Sequence, residues 1–358
     1  MMGRVAHRPE MPVAAVLVQP RDGSAMSFRP VEQAWHRSWF RVVGAVGVGL
    51  CLAGALPGVS ASAVAGVTGP VPAVTAWPGG SGAPPPSFWG DTKTIPAARN
   101  VLELAIRNRT NGRFPNSKVY WSFGGQEKSI AQQRYIDMPV NSAGRMYFYL
   151  GSPNGPYFDF IEFTVGTNSI NVDTTRVDRF GLKLALLLHG HDGSSQEVGE
   201  DYATFTESRA ATFQRFRKAM PAAFKELATD DAPFGIPSPG NDAAFQPGGP
   251  HANYFSKYAA SVGDTTDSTA QIFGCAGTLA SNPQLCAGLN RHVAQLPIVQ
   301  QSNPKKFYRA APANYYAQFW HNNAIHGRAY GFPYDDYAGQ SSDISVTAPQ
   351  FLVIAVGW

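Results

Sequence analysis

Charge is scarce in this chain: Asp, Glu, Lys and Arg make up 15% of its 358 residues, against 12% that are aromatic. The formal excess of +4 sits mostly at the start, where residues 1–63 hold six arginines and three acids, so residues 64–358 carry about +1. A body so nearly neutral lacks the Lys and Arg clusters that displace counterions from phosphates, which argues against nucleic acid as a partner. Cysteine is scarcer still, with three in all. A fold framed by disulfides is thereby excluded, and "CAGTLASNPQLC" offers too few ligands for a zinc site. The apolar run from Val42 to Leu56 is shorter than the roughly 20 residues that a bilayer span needs.

That run follows Arg41 and precedes Ala61-Ser62-Ala63, the order of a secretory signal cleaved after Ala63. Residues 1–63 therefore read as leader and signal peptide, with Met26 an alternative start to Met1, and the expectation is a secreted protein with no membrane attachment after cleavage. Loss of the leader removes Cys51 and leaves Cys275 and Cys286 to form one disulfide, a staple of about 2–4 kcal/mol on one segment. Low charge with many aromatics suits an extracellular protein that handles something uncharged and flat-faced.

Residues 64–96 are rich in Pro, Gly and Ala without periodicity and read as a linker. From Val101 to Leu188, "VLELAIRN", "KVYWSFGG", "QRYIDMPV", "RMYFYLG", "YFDFIEFTV", "INVDTT" and "LKLALLLH" are short strands parted by Gly, Asn and Ser, the pattern of a sandwich or barrel. The character then becomes helical. "TFTESRAATFQRFRKAM" offers a capping box, Thr204 with Glu207, and "SNPQLCAGLNRHVAQL" has Asn282 as N-cap with Pro283 in the first turn. "APANYYAQFWHNNAIHG" is a third helix closed by Gly327, and "ISVTAPQFLVIAVGW" returns to strand. The expected organisation is a β-barrel or sandwich domain from 97–194 and 326–358 enclosing a mixed α/β domain over 195–325.

Acids inside apolar strands are the first chemical signal, because a buried, unpaired charge is expensive. Strand alternation puts Phe158, Phe160, Glu162 and Thr164 on one face and Ile161, Phe163 and Val165 on the other. The same parity groups Arg176, Asp178 and Phe180 sixteen residues further on. Two carboxyls in different surroundings are what glycosidic hydrolysis needs, one to protonate the leaving oxygen and one to activate water. Most acids on a half-exposed sheet are simply solvated, however. Hairpin arithmetic also offers a rival, since a tight turn at Thr167-Asn168 sets Glu162 opposite Asp173 instead.

Other residues admit plainer readings. Glu207 fits a cap, and Glu200 with Asp201 a solvated approach to a helix. "LLLHGHDGSSQ" lacks the Gly-x-Ser-x-Gly elbow of a serine hydrolase, and His189, His191 and Asp192 lack a further ligand for a metal. His321 and His326, five apart, share a helical face poorly. No metal or cofactor is expected. Asp335 and Asp336 fit either sugar binding or a structural turn. Tyr254, Phe255, Tyr258, Tyr330, Phe332 and Tyr334 include candidate stacking faces for sugar rings, although more of them suit a core.

"FIEFTV…INVDTTRVDRFGL", "VGEDYATFTESRAATFQRF", "FGIPSPG", "CAGTLASNPQLCAGLNRHV" and "AYGFPYDDYAGQSS" together resemble glycoside hydrolase family 64, the inverting, laminaripentaose-producing β-1,3-glucanases, from about residue 97 to 358. The resemblance implies a mainly β fold, with a thaumatin-like β-barrel joined to a mixed α/β domain across a wide groove. "YGFPYDD" resembles the thaumatin-like signature. It also implies Glu162 as general acid, Asp178 as general base and Thr164 as a substrate contact. Asn168, Tyr254, Tyr334 and Asp335 complete the expected substrate-binding set. The expected partner is β-1,3-glucan, such as laminarin, curdlan or fungal wall, handled by a monomer without cofactor. Arg179 and Gly181 depart from the apolar residues expected after the base, and a cation beside Asp178 would favour its ionised form. The alternative is a non-catalytic glucan-binding or antifungal protein of thaumatin-like type.

Overall fold

The computed structural model describes residues 82–229 and 234–358, all within one unit, Pro70–Trp358. The expected leader and signal, and residues 64–81 of the expected linker, lie outside the described residues. Thirteen strands run along the described chain: β1 (Leu102–Arg109), β2 (Val119–Phe123), β3 (Gln126–Ser129), β4 (Tyr135–Met138), β5 (Ala143–Leu150), β6 (Phe158–Gly166), β7 (Ser169–Thr174), β8 (Arg179–Phe180), β9 (Lys183–Gly190), β10 (Ser195–Gly199), β11 (Ile236–Pro237), β12 (Asp343–Thr347) and β13 (Pro349–Gly357).

Two sheets form a sandwich. One is antiparallel, in the order β12-β7-β6-β5-β2-β3; the other runs β10-β9-β13-β1-β4, with β1 and β13 parallel. Their facing side chains, including Leu104, Ile106, Leu186 and Ile354 from one sheet and Trp121, Phe148, Ile161 and Phe163 from the other, share one core. The five-stranded sheet is covered on its second face as well. Ala105, Ala185, Leu187, Val353 and Ala355 lie under Phe88, Trp89, Phe205 and Ile325, so the stretch 184–188 can be apolar throughout.

Two boundaries differ from the sequence reading. Phe88 and Trp89 lie within the expected 64–96 linker, yet both are buried and their carbonyls accept hydrogen bonds from Arg109 Nε (2.6 Å) and Arg107 Nε (3.2 Å). Two aromatics have enough apolar area to dock an otherwise irregular segment. Ser195–Gly199, expected in the mixed domain, pairs with β9 and belongs to the sandwich.

The second core is helical and aromatic. After α1 (Tyr202–Thr206), whose Phe205 covers the five-stranded sheet, it is built from α2 (Arg209–Ala219), α3 (Ala222–Lys225), α4 (Ser256–Ser261), α5 (Thr269–Phe273), α6 (Pro283–Asn290) and α7 (Tyr315–Asn322) around Phe180, Phe216, Phe224, Phe255, Phe273 and Trp320. Asn282 caps α6 by accepting from the Leu285 N–H, with Pro283 following it, as the sequence implies. The expected box at Thr204 and Glu207 is not a cap: Asp201 caps α1 and Ser208 caps α2, while Glu207 binds Arg215 and Thr212. Cys275 and Cys286 are disulfide-bonded, their Cα atoms 5.6 Å apart, in this helical core. Among the described residues no helix is long and apolar enough to cross a membrane.

Candidate active site

The candidate acid Glu162 lies on the outer face of the six-stranded sheet. Strand β6 presents Phe158, Phe160, Glu162 and Thr164 outward while Ile161, Phe163 and Val165 enter the core, which is the alternation read from the sequence. Across the hairpin turn at Thr167-Asn168, Glu162 stands opposite Asp173 on β7; on its other side it stands opposite Arg145 on β5. Asp343 on β12 extends the same row beyond Asp173.

Arg145 organises the site. Its Nε donates to Glu162 Oε1 and its Nη1 to Asp178 Oδ2, both at 2.9 Å, and its guanidinium lies 4.2 Å from the centre of the Phe160 ring. Burial opposes the Arg145 charge, but the Glu162 and Asp178 carboxylates outweigh it and hold its pKa above the usual range. Two 2.9 Å contacts to one planar fork keep the nearer oxygens of the two carboxyls within about 8 Å of each other. The Glu162 and Asp178 side chains are 35% and 42% exposed, so the pair is open to a ligand.

Asp178 reaches this site by a route that strand parity misses. The chain leaves β7 after Thr174, and Arg176 turns inward, 2% exposed, to Asp159 and Glu200, with contacts of 2.9 and 2.6 Å. Asp178 follows in a bend before β8, outside any strand, and points outward. Its carbonyl accepts from the Ser238 N–H and from Asn241 Nδ2, each at 3.1 Å, so the segment 238–241 helps set its position. Arg176 and Asp178 therefore do not share a face.

The cation that contacts Asp178 is Arg145, not the neighbouring Arg179. Arg179 lies 4.0 Å from the centre of the Phe158 ring, and its Nη2 donates to the carbonyls of Pro156 and Phe158. Gly181 is required by contact: a Cβ there would lie 1.9 Å from the Phe158 carbonyl oxygen. The absence of an apolar side chain at position 181 thus reflects how closely this segment crosses β6.

Thr164 is exposed on the same face as Glu162, one pleat further along β6, beside Asn171. Asn168 lies in the turn joining β6 and β7, and its carbonyl accepts from the Ala348 N–H. Three expected substrate contacts have other employment. Asp335 is fully buried, bonded to Arg291 Nη2 (2.9 Å), His321 Nε2 (3.0 Å) and the Gly331 N–H (2.9 Å), and has no face left for a sugar. Burial alone would raise its pKa, but His321 and Arg291 bring it below the usual carboxylate range. Tyr254 packs among Phe224, Phe245 and Phe273, and its hydroxyl both donates to and accepts from the Ala313 backbone. Tyr334 is half-buried against the helical core and donates to the Ala280 carbonyl.

The aromatic rings beside the acids are Tyr147 and Tyr149 on β5, half-exposed and 6.2 Å apart in a stacked pair, with Phe158 and Phe160 opposite them. The sequence reading missed these tyrosines and Arg145. Period-two alternation in "RMYFYLG" was the available signal, placing Arg145, Tyr147 and Tyr149 on one face. Among the described residues no three His, Cys, Asp or Glu side chains are grouped to hold a metal ion.

The family model described as Beta-1,3-glucanase, glycoside hydrolase family 64, matches residues 151–266 and 265–356. The chain is similar to the laminaripentaose-producing β-1,3-glucanase of Paenibacillus barengoltzii, at 31% identity over 75% of this chain and 77% of that one, with a TM-score of 0.66. The complex of that enzyme with laminarihexaose matches at 31% identity and the same coverage, with a TM-score of 0.67. A family 64 domain from Clostridium beijerinckii shares the fold, at 23% identity over 74% of this chain and 100% of that one, with a TM-score of 0.65. No curated protein matches the chain.

Proposed function

Because the chain belongs to glycoside hydrolase family 64, the β-1,3-glucanases, we propose that it cleaves β-1,3-glucan outside the cell with inversion at the anomeric carbon, Glu162 acting as general acid and Asp178 as general base. The observation that carries this reading is the single guanidinium of Arg145, which binds a carboxyl on β6 and a carboxyl on the 176–178 bend at once. Two acids held near each other on an open face supply the proton donor and the water-activating base that glycosidic hydrolysis needs.

In this mechanism Glu162 gives its proton to the glycosidic oxygen as the bond to the anomeric carbon breaks. Asp178 accepts the proton of a water that adds to the opposite face of the sugar. Inversion needs about 6.5–9.5 Å between the carboxyls to admit that water, and the ceiling of about 8 Å set by Arg145 overlaps this window. The glucan would lie in a thaumatin-like groove over the outer face of the sheet, stacking on Tyr147 and Tyr149 and contacting Thr164. The expected products are short laminari-oligosaccharides such as laminaripentaose, the product named for the Paenibacillus enzyme.

Glu162→Gln and Asp178→Asn should each lower reducing-sugar release from laminarin by about 10²- to 10⁴-fold. Unchanged rates in both would remove the assignment, and glucan binding without soluble product from the unaltered protein would favour a binding role. Proton NMR of a fresh curdlan digest should show the α-anomer first; an initial β-anomer would overturn inversion. When the full chain is expressed, a product in the culture medium that starts at residue 64 would support export, and retention in the cells with residues 1–63 uncleaved would overturn it.

A further inference from the structure

Arg145, Glu162, Asp173 and Asp343 stand opposite one another on four neighbouring strands, a row of one cation and three acids. Glu162 is answered by Arg145. Asp173 is differently placed: it is 4% exposed, and its Oδ1 is buried without a hydrogen-bond partner. The groups that face it are Glu162 from β6, Asp343 from β12 and Asp336 from the segment after α7, with Arg145 two strands away as the opposing cation. Burial first, and then these carboxylates, push Asp173 well above the ordinary carboxylate range. A carboxyl in that position, buried and faced by other acids, favours its protonated form.

Glu162 has the opposite surroundings. Arg145 Nε donates to its Oε1 at 2.9 Å, a charge-assisted contact. An acid catalyst must carry a proton when the glucan arrives, and in this arrangement the carboxyl whose surroundings favour a proton is one strand over. Residues directly opposite in an antiparallel pair have Cβ atoms about 4.5–5.5 Å apart, within reach of proton exchange between their carboxyl tips.

Resting on the reading of Glu162 as the acid, we propose that Asp173 is a positioning residue that stores the proton which Glu162 delivers. Sugar hydroxyls accepting from Arg145 loosen its hold on Glu162. The proton then passes from the Asp173 carboxyl to Glu162, leaving Asp173 as the carboxylate. Glu162 transfers that proton to the glycosidic oxygen as the C–O bond breaks, and water adds its oxygen to the anomeric carbon and a proton to Asp178. Solvent afterwards takes the proton from Asp178 and returns one to the Glu162–Asp173 pair, restoring the starting state.

The test compares Asp173→Asn with Glu162→Gln on laminarin and on a laminari-oligosaccharide carrying a 2,4-dinitrophenolate leaving group, which departs without protonation. Asp173→Asn should lower kcat on laminarin by about 10²-fold while keeping the activated substrate within about threefold, and Glu162→Gln should show the same split. Absence of the split in Glu162→Gln overturns the assignment of the acid itself. A split in Glu162→Gln with equal losses on both substrates in a folded Asp173→Asn overturns the proton store alone. If Asp173→Asn does not fold, Asp343→Asn decides. Removing a carboxylate that faces Asp173 lets its proton leave at lower pH, so the alkaline limb of kcat/KM on laminarin should move down by about half a pH unit or more. An unmoved limb overturns the inference.

Discussion

Asp159→Asn probes whether the buried contacts behind β6 set the site in front of it. Asp159 is 1% exposed on the inward side of β6, and its Oδ2 accepts from Arg176 Nη1 (2.9 Å), the Gly181 N–H (2.8 Å) and the Leu182 N–H (2.9 Å). Its Oδ1 accepts from the Phe160 N–H at 2.9 Å. An amide cannot satisfy these four donors. Whichever way it is turned, its NH₂ faces at least one N–H, and Arg176 loses a counter-charge. Breaking a buried pair by removing one partner costs about 3–5 kcal/mol. Arg176 keeps Glu200, bound through Nε and Nη2, which argues for the lower end, about 3 kcal/mol. At about 2–4 °C per kcal/mol the melting temperature should fall by about 6–12 °C. The same contacts tether the segment that carries Asp178, and a shift of about 1 Å in a reacting group can cost up to about 10²-fold. Calorimetry and laminarin turnover at about 20 °C, where both proteins are folded, measure the two effects. A loss below about 1 kcal/mol with unchanged kcat would show that the clamp does not hold the site.

Tyr147→Ala should raise KM for long laminari-oligosaccharides with little change in melting temperature, whereas Tyr254→Ala should lose about 3–5 kcal/mol of stability; steady-state kinetics and denaturant titration on both variants decide. Replacing Cys275 and Cys286 by Ala should cost about 2–4 kcal/mol in urea unfolding and leave activity at about 25 °C within about twofold, since the bridge closes a short loop within the helical core. Glu103 is pushed up to about 7 by burial and then by Asp137, so its folded form holds a proton that the unfolded chain has released. Stability from this group is therefore full below about 4.5 and is lost as pH rises towards 7. Glu103→Gln should melt about 2–4 °C above the unaltered protein at about pH 8 and level with it at about pH 4.5; equal melting at both would refute the assignment.

What the sequence made legible divides at the point where the chain leaves a strand. Alternation is a local property, so it placed Glu162 and Thr164 on the outer face of β6, and the two-residue turn at Thr167-Asn168 put Asp173 opposite Glu162. After Thr174 the backbone bends, and parity carried across that bend grouped Arg176 with Asp178, although one is buried and the other exposed. Arg145 stayed hidden for a different reason. Its role comes from the pairing of β5 with β6 and from a bend beyond β7, which no spacing between residues 145 and 178 encodes. Burial also overrode residue type. Asp335 and Glu200 look like surface polar groups in one dimension, yet each is enclosed because partners distant in sequence, Arg291 and Arg176, satisfy it. A resemblance spanning both carboxyls paired Glu162 with Asp178 where periodicity could not, because ordered motifs carry long-range pairing implicitly, and in the fold the two side chains meet at Arg145. The geometry added the residue between them, one arginine whose Nε and Nη1 bind the two carboxyls at once.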